Sequence, residues 1–398
     1  MKLCLCLVLV TAAAFGQVPA TCNFDGEVLA MRKKQIAAGE ASIADDVKKL
    51  RTDADKELRR KIVTITEDKK HVAPGGDPHD YVSIGTYYWP NPATSNGLPW
   101  INKDGEKNPL KDEYDEGRLG KMCGAVKTLS LAFYLTGDEK YAERAAQQLR
   151  AWFFDEATRM NPNLQHAQMQ LGKNEGTGTG IIDSRGLTQV TDAAILLRGA
   201  KAWTADDDAK LKKWFSDYFA WLTTSKNGMK EADATNNHSV WYDVQAVAIA
   251  QLIGDEKYAH ETLEAAKTKR IAKQIEPDGS MPRELGRTLS VTYSVFNLDA
   301  FFRLARLGKN AGVDLWSFKT DDGRSLRAAL DFMIPFATGK KEWGHKQIKN
   351  ANYGGLVPLL REASRVWHEP AYEKVIGDLQ NNGSTAKGVN FLLPPDNR

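Results

Sequence analysis

The chain has 398 residues, 42% hydrophobic and 26% charged, an ordinary globular balance that excludes a disordered or collagen-like chain. Lys and Arg number 54 against 51 Asp and Glu, a net charge of +3, so the gross basic excess of a nucleic-acid binder is absent. Any affinity for a polyanion must come from a local basic cleft. The 10 Trp and 12 Tyr suit a carbohydrate-binding groove and a helical core equally.

Residues 1–20 read as a secretory signal: Lys2, an apolar run from Leu3 to Phe15, then small residues with cleavage after Gly16 or Ala20. The run is too short to span a bilayer, and no later segment is long enough. The expectation is an exported, soluble protein, secreted or periplasmic, with residues 21–398 as a single domain. Cys4 and Cys6 leave with the signal. Cys22 and Cys123 then either form one disulfide in an oxidising compartment or stand as two thiols.

Beyond the signal the chain reads as helix after helix, with almost no alternating strand pattern. The windows fall near 27–60, 117–136, 138–155, 184–200, 204–223, 238–252, 255–273, 287–307, 321–338 and 354–380. Thr204 before Ala205-Asp206-Asp207-Asp208 is a helix start, with acids in the first turn. An internal repeat stands out: Gly137-Asp138-Glu139-Lys140-Tyr141-Ala142 recurs as Gly254-Asp255-Glu256-Lys257-Tyr258-Ala259, and Pro370-Ala371-Tyr372-Glu373-Lys374 is a degenerate third copy. Each copy ends one helix on Gly and opens the next on Asp and Glu. Helical hairpins stacked in this way bury a shared core, giving a solenoid, or a toroid if the array closes. The expected fold is therefore all-α, an (α/α) toroid or incomplete barrel of helical hairpins.

Two stretches break the pattern. Residues 64–116 carry Tyr87-Tyr88-Trp89-Pro90-Asn91-Pro92 and Gly97-Leu98-Pro99-Trp100. Residues 156–183 carry Met160-Asn161-Pro162-Asn163, His166, Gln168 and a Gly/Thr tract over 176–180 that reads as a flexible loop rather than a phosphate cradle. Loops this long are usually functional and would line one mouth of a helical toroid.

None of the 7 His sits in a metal-ligand spacing, and no Gly-x-Ser-x-Gly elbow or nucleotide fingerprint occurs, so neither metal nor cofactor is expected. The dense polar cluster is Thr235–Gln245, running into the apolar Ala246–Ile253. Asn at its start is one natural helix cap. His238, Trp241, Tyr242 and Gln245 share one helical face, polar and aromatic together, which suits a cleft better than a core. Asn237-His238-Ser239 and Asn382-Gly383-Ser384 match glycosylation sequons, the first blocked if it lines a site. A second cluster spans Gly279–Tyr293, with Arg287 and Tyr293 six apart; Arg283 and Glu284 could form a solvated ion pair.

Asn236-Asn237-His238-Ser239-Val240-Trp241-Tyr242-Asp243-Val244-Gln245 resembles the signature of the alginate-lyase superfamily of helical toroid enzymes. So do the Tyr87–Pro92 block, Gly97–Trp100, Met160–Leu164 and Arg287…Tyr293, in this order over residues 80–300. The match looks closest to polysaccharide lyase family thirty-eight, with family five more distant. The resemblance implies an active site of Asn237, His238, Arg287 and Tyr293. The seven-residue span from Arg287 to Tyr293 departs from family five, so that family's subsites and substrate preference do not transfer.

Such an enzyme removes the proton at C-5 of a 4-linked uronate, alpha to the carboxylate, and expels the O-4 leaving group. Asn237 and Arg287, with His238, would neutralise the carboxylate. Tyr293 would be the acid, and also the base where both groups leave from one face, its pKa lowered by the nearby Arg. His238 would be the base for guluronate, whose proton lies on the opposite face. Tyr87, Tyr88, Trp89, His166, Gln168, Arg185, Trp241, Tyr242, Arg283 and His345 are the candidates for sugar stacking or carboxylate pairing. The expected partner is an anionic uronate polysaccharide such as alginate, polymannuronate or glucuronan, met by a monomer with no nucleic-acid or membrane partner. Two rivals are a glycoside hydrolase on the same toroid, using a pair from Glu231, Asp233, Asp243 and Glu284, and a non-catalytic uronan-binding protein.

Overall fold

The computed structural model describes residues 18–381. The signal segment, apart from its last three residues, and the Asn382 sequon lie outside the described residues. Fifteen α-helices are found among them: α1 Gly26–Ala37, α2 Ala44–Arg59, α3 Glu116–Thr136, α4 Glu139–Phe153, α5 Leu187–Leu196, α6 Ala205–Thr224, α7 Lys226–Ala232, α8 Asn237–Ile253, α9 Glu256–Ala266, α10 Ala272–Gln274, α11 Pro282–Leu285, α12 Ser290–Asn310, α13 Leu326–Ala337, α14 Leu356–Val366 and α15 Ala371–Asn381.

The repeat does what its residues dictate. Gly137 and Gly254 close α3 and α8 in the left-handed region, at φ 70° and 86°, where a side chain would be strained. Asp138 and Asp255 then cap α4 and α9, accepting from the backbone N–H of Lys140 and Tyr258. In the third copy His368, at φ 51°, takes the left-handed position before α15. Thr204 and Asp207 form a reciprocal capping box on α6. The long window over 27–60 is split in two, with Gly39 at φ 70° between the halves.

The leading helices of successive hairpins touch in order, α3 on α5, α5 on α8, α8 on α12 and α12 on α14, while α4, α9, α13 and α15 pack against the helix each follows. This is an all-α (α/α) toroid. Its interior is a large apolar cluster around α3–α6 and a second around α8–α15, with α8 contributing to both. Helix α8 explains itself: from Val240 to Ala250 every residue is buried, as expected of a helix apolar almost all round.

The two long loops pair with each other. Strand β1 (Val82–Ile84) runs parallel to β4 (His166–Met169), and β2 (Tyr88–Trp89) runs antiparallel to β3 (Ile101–Asn102). A small cluster of Ala73, Val82, Ile84, Trp100 and Met169 anchors them. The Gly/Thr tract is not the flexible loop expected from its composition. Gly178–Gly186 is a 3₁₀ turn, and a Cβ on Gly180 would stand 2.5 Å from the Ala167 side chain, so glycine here permits close packing.

Cys22 and Cys123 are free thiols, not a disulfide. Each is buried in a different core cluster, and burial pushes each thiol up to about 12.

Candidate active site

The site is assembled at the start of two interior helices. Asn236, rather than Asn237, caps α8 by accepting from the His238 N–H. Asn237 is fully buried; its backbone N–H and its Nδ2 donate to the two oxygens of Glu284 at 2.7 and 2.8 Å. Glu284, on the short helix α11, is itself buried and so does not form the solvated pair with Arg283, which is exposed. Burial raises the Glu284 carboxyl above its ordinary range despite the Asn237 hydrogen bonds and the nearby charge of Arg287. The Asn237 sequon is closed to modification by this burial.

His238, one residue on, keeps 18% of its side chain exposed, and its Nδ1 lies 2.6 Å from Glu231 Oε1 of α7. A carboxylate only accepts, so the neutral ring carries its proton on Nδ1 and offers the Nε2 lone pair outward. Trp241, Tyr242 and Gln245 share the helical face but not the exposure. Trp241 stacks on Phe296 at 4.9 Å, Tyr242 donates to the Leu222 carbonyl, and Gln245 accepts from Ser184. Trp241 and Tyr242 are therefore core residues, not substrate contacts.

The second half is built on α12 and the β2–β3 hairpin. Arg287 clamps Asp104 through Nε at 3.2 Å and Nη2 at 2.5 Å, and lies 3.6 Å above the centre of the Tyr293 ring. Asp104 also accepts from the Thr288 N–H and hydroxyl. Gly105, at φ 84°, allows this approach, because a Cβ there would meet Thr288 Oγ1 at 2.4 Å. Burial works against the Asp104 charge, but these bonds outweigh it and hold the carboxyl below its usual value. Sequence reasoning missed Asp104; its only local mark is an ordinary Asp-Gly turn, 183 positions from Arg287.

Tyr293 donates to the Tyr87 hydroxyl at 2.6 Å. Burial, and then this bond, hold the Tyr293 hydroxyl well above a tyrosine's ordinary value; Arg287 pulls the other way and is outweighed. The expectation that Arg287 depresses Tyr293 is corrected: a cation already paired with Asp104 cannot offset burial.

The remaining candidates are spread over the loops around this centre. The Tyr88 ring faces Lys173 at 5.7 Å, and Trp89 donates to the Glu106 carbonyl with Lys103 above it. His166 Nδ1 bonds the Glu175 carbonyl. Gln168, in a left-handed turn at φ 47°, donates to buried Asp183 at 2.8 Å, and Arg185 lies 5.6 Å from the Phe296 ring. His345 is exposed, edge-on to Trp343, in a segment whose Ile348 N–H bonds the Thr288 carbonyl. Among the described residues no group of three or more His, Cys, Asp or Glu could hold a metal ion.

With this geometry in place, comparison with known proteins decides the family. Residues 64–343 match the alginate lyase family model. The chain belongs to the alginate lyase family. It is thereby a polysaccharide lyase. An alginate lyase from Bacteroides ovatus is similar over 94% of this chain and 99% of its own, at 38% identity and a TM-score of 0.88. Alginate lyase A1-III from Sphingomonas species A1 shares 17% identity with a TM-score of 0.53, over 89% and 90% of the two chains. A tetrasaccharide complex of A1-III gives 17% identity and 0.56, also over 89% and 90%. At that identity A1-III supports the toroid fold alone. No curated protein matches the chain.

Proposed function

We propose that this family member is an exported lyase that cleaves 4-linked uronate polymers by β-elimination, with alginate as its substrate and unsaturated uronate ends as product. The observation that carries the proposal is the Glu231–His238 pair at the start of α8 together with the Tyr293–Arg287 stack at the start of α12. One holds an imidazole by Nδ1 and leaves Nε2 for the substrate, and the other holds a phenol protonated by burial. Elimination across opposite faces of the ring needs a base and an acid at once.

His238 Nε2 takes the C-5 proton, and Tyr293, held protonated by burial, gives its proton to the departing O-4. Arg287 keeps Nη1 for the substrate carboxylate after Asp104 has taken Nε and Nη2, and buried Asn237, fixed by Glu284, holds the start of α8 beside His238. This division serves links whose proton and leaving oxygen lie on opposite faces, as at guluronate. At mannuronate or glucuronate Tyr293 takes both roles: as the phenolate, its own proton having passed to solvent, it takes the C-5 proton and gives that proton to O-4. The signal over residues 1–20 supports export of the chain, with residues 21–398 as one catalytic domain acting as a monomer.

A glycoside hydrolase would need two available carboxylates. Asp243 is locked to Arg270 at 2.7 and 3.0 Å, Glu231 and Glu284 orient His238 and Asn237, and only Asp233 is exposed. The test is ultraviolet absorbance with polymannuronate, polyguluronate and glucuronan offered separately. New absorbance on a uronan supports elimination; new reducing ends without absorbance would refute it.

A further inference from the structure

Where the hairpin array fails to close, between α2 and α3 on one side and α12 and α14 on the other, lies a cavity of about 630 Å³. That is the size of a small-ligand pocket. Its wall on α12 runs from Thr292, the neighbour of Tyr293, through Phe296 to Arg303. Leu50, Leu131, Phe296 and Pro358 make it part apolar, as a sugar face requires.

The charges around it are nearly all engaged. Arg303 Nε bonds both oxygens of Asp299 at 3.1 Å, and Arg306 pairs with Glu362 at 2.6 Å. Asp25 caps α1, and Asp53 pairs with Lys56. Behind the wall Asp192 accepts from the Cys22 and Asn23 N–H groups and from Asn23 Nδ2, at 2.7, 2.8 and 2.8 Å. Lys127 is the exception. It lines the cavity from α3, is half-buried between the fields of Arg303 and Asp192, and carries no side-chain hydrogen bond or ion pair seen among the described residues. Its three N–H donors are left for a ligand.

We propose that this seam cavity is a second binding site, for a short uronate saccharide of one or two residues, whose carboxylate pairs with Lys127 while its ring lies along Phe296. The identity of the saccharide rests on the lyase reading above; the need of Lys127 for an acceptor does not. The site would take the acidic fragments that the reaction releases, beside the helix that carries Tyr293.

The experiment is calorimetric titration of the Tyr293→Phe protein, to suppress turnover, with a mannuronate disaccharide and with its neutral counterpart, mannobiose. The same titrations are run on Tyr293→Phe carrying Lys127→Met or Lys127→Arg. The site predicts two bound disaccharides per chain, one of them weakened about 10- to 100-fold by Lys127→Met, the size of a lost charge-assisted hydrogen bond. Lys127→Arg restores it, and mannobiose does not bind there. Removing an unpaired, partly desolvated ammonium leaves the fold intact, which the melting temperature checks. A stoichiometry and affinity unchanged by Lys127→Met in a normally melting protein would overturn the proposal, as would mannobiose binding equally well. Ultraviolet turnover by the unaltered protein is measured alongside. Turnover with no Lys127-dependent site sinks the cavity alone, and Lys127-dependent binding without turnover on any uronan sinks the lyase reading alone.

Discussion

Replacing Glu231 with Gln separates orientation of His238, the proposed base, from everything else in the site. Glu231 is 1% exposed, touches His238 Nδ1 at 2.6 Å, and lies behind the ring rather than in the cleft. Gln keeps the size but offers two alternatives. Its carbonyl can accept from Nδ1–H, replacing a charge-assisted hydrogen bond by a neutral one. Its NH2 can instead face Nδ1, which forces the proton to Nε2 and removes the lone pair needed at C-5. The first alternative costs about 1–2 kcal/mol and the second more, so kcat should fall roughly 10- to 100-fold. KM should hardly move, because Glu231 contacts no sugar. The assay is the initial rate of ultraviolet absorbance across substrate concentration, with circular dichroism to confirm folding. A kcat within about threefold of the unaltered protein, or a change confined to KM, would refute the argument.

Three further outcomes are expected. Tyr293→Phe removes the phenol proposed to protonate O-4 and should lower kcat about 10²- to 10⁴-fold, with binding retained in a fluorescence titration with an oligouronate. Asp183, pushed up to about 6 chiefly by burial, binds a proton more readily folded than unfolded, so its contribution to stability is full at acid pH and is lost as pH rises through about 6. The urea midpoint of Asp183→Asn relative to the unaltered protein should therefore climb between about pH 4 and pH 7, by no more than about 3 kcal/mol in stability; a flat difference would contradict this. Cys22 and Cys123 should resist alkylation in the native protein and label fully after denaturation without reductant, as peptide mass mapping will show.

The parts of the fold legible in the sequence were those set by local chemistry. Gly137-Asp138 and Gly254-Asp255 announce a left-handed stop followed by an acidic cap, and both are found as such. The capping box at Thr204 is equally local. What failed depends on which way a face points. Helical spacing puts Trp241, Tyr242 and Gln245 with His238, but α8 is buried on nearly every side, so only the first turn reaches the cleft. Likewise nothing near Glu231 or Glu284 reveals that they orient His238 and Asn237 rather than flank a sugar. Contacts such as Arg287 to Asp104 and Tyr293 to Tyr87 join positions 183 and 206 apart, through loops whose composition marks them as unusual but not as partners. The pKa of Tyr293 is hidden for the same reason: the sequence shows an adjacent Arg but neither its counterion nor the depth of burial.

The central claim is that a base on His238 and an acid on Tyr293 act together in elimination. It is tested most directly by following ultraviolet absorbance of the purified protein on polyguluronate and polymannuronate, beside His238→Ala and Tyr293→Phe. The account predicts a rise on alginate blocks with the unaltered protein, lost in Tyr293→Phe on both polymers, and with His238→Ala losing polyguluronate turnover more completely than polymannuronate. Full activity of Tyr293→Phe, or reducing ends released without absorbance, would contradict it.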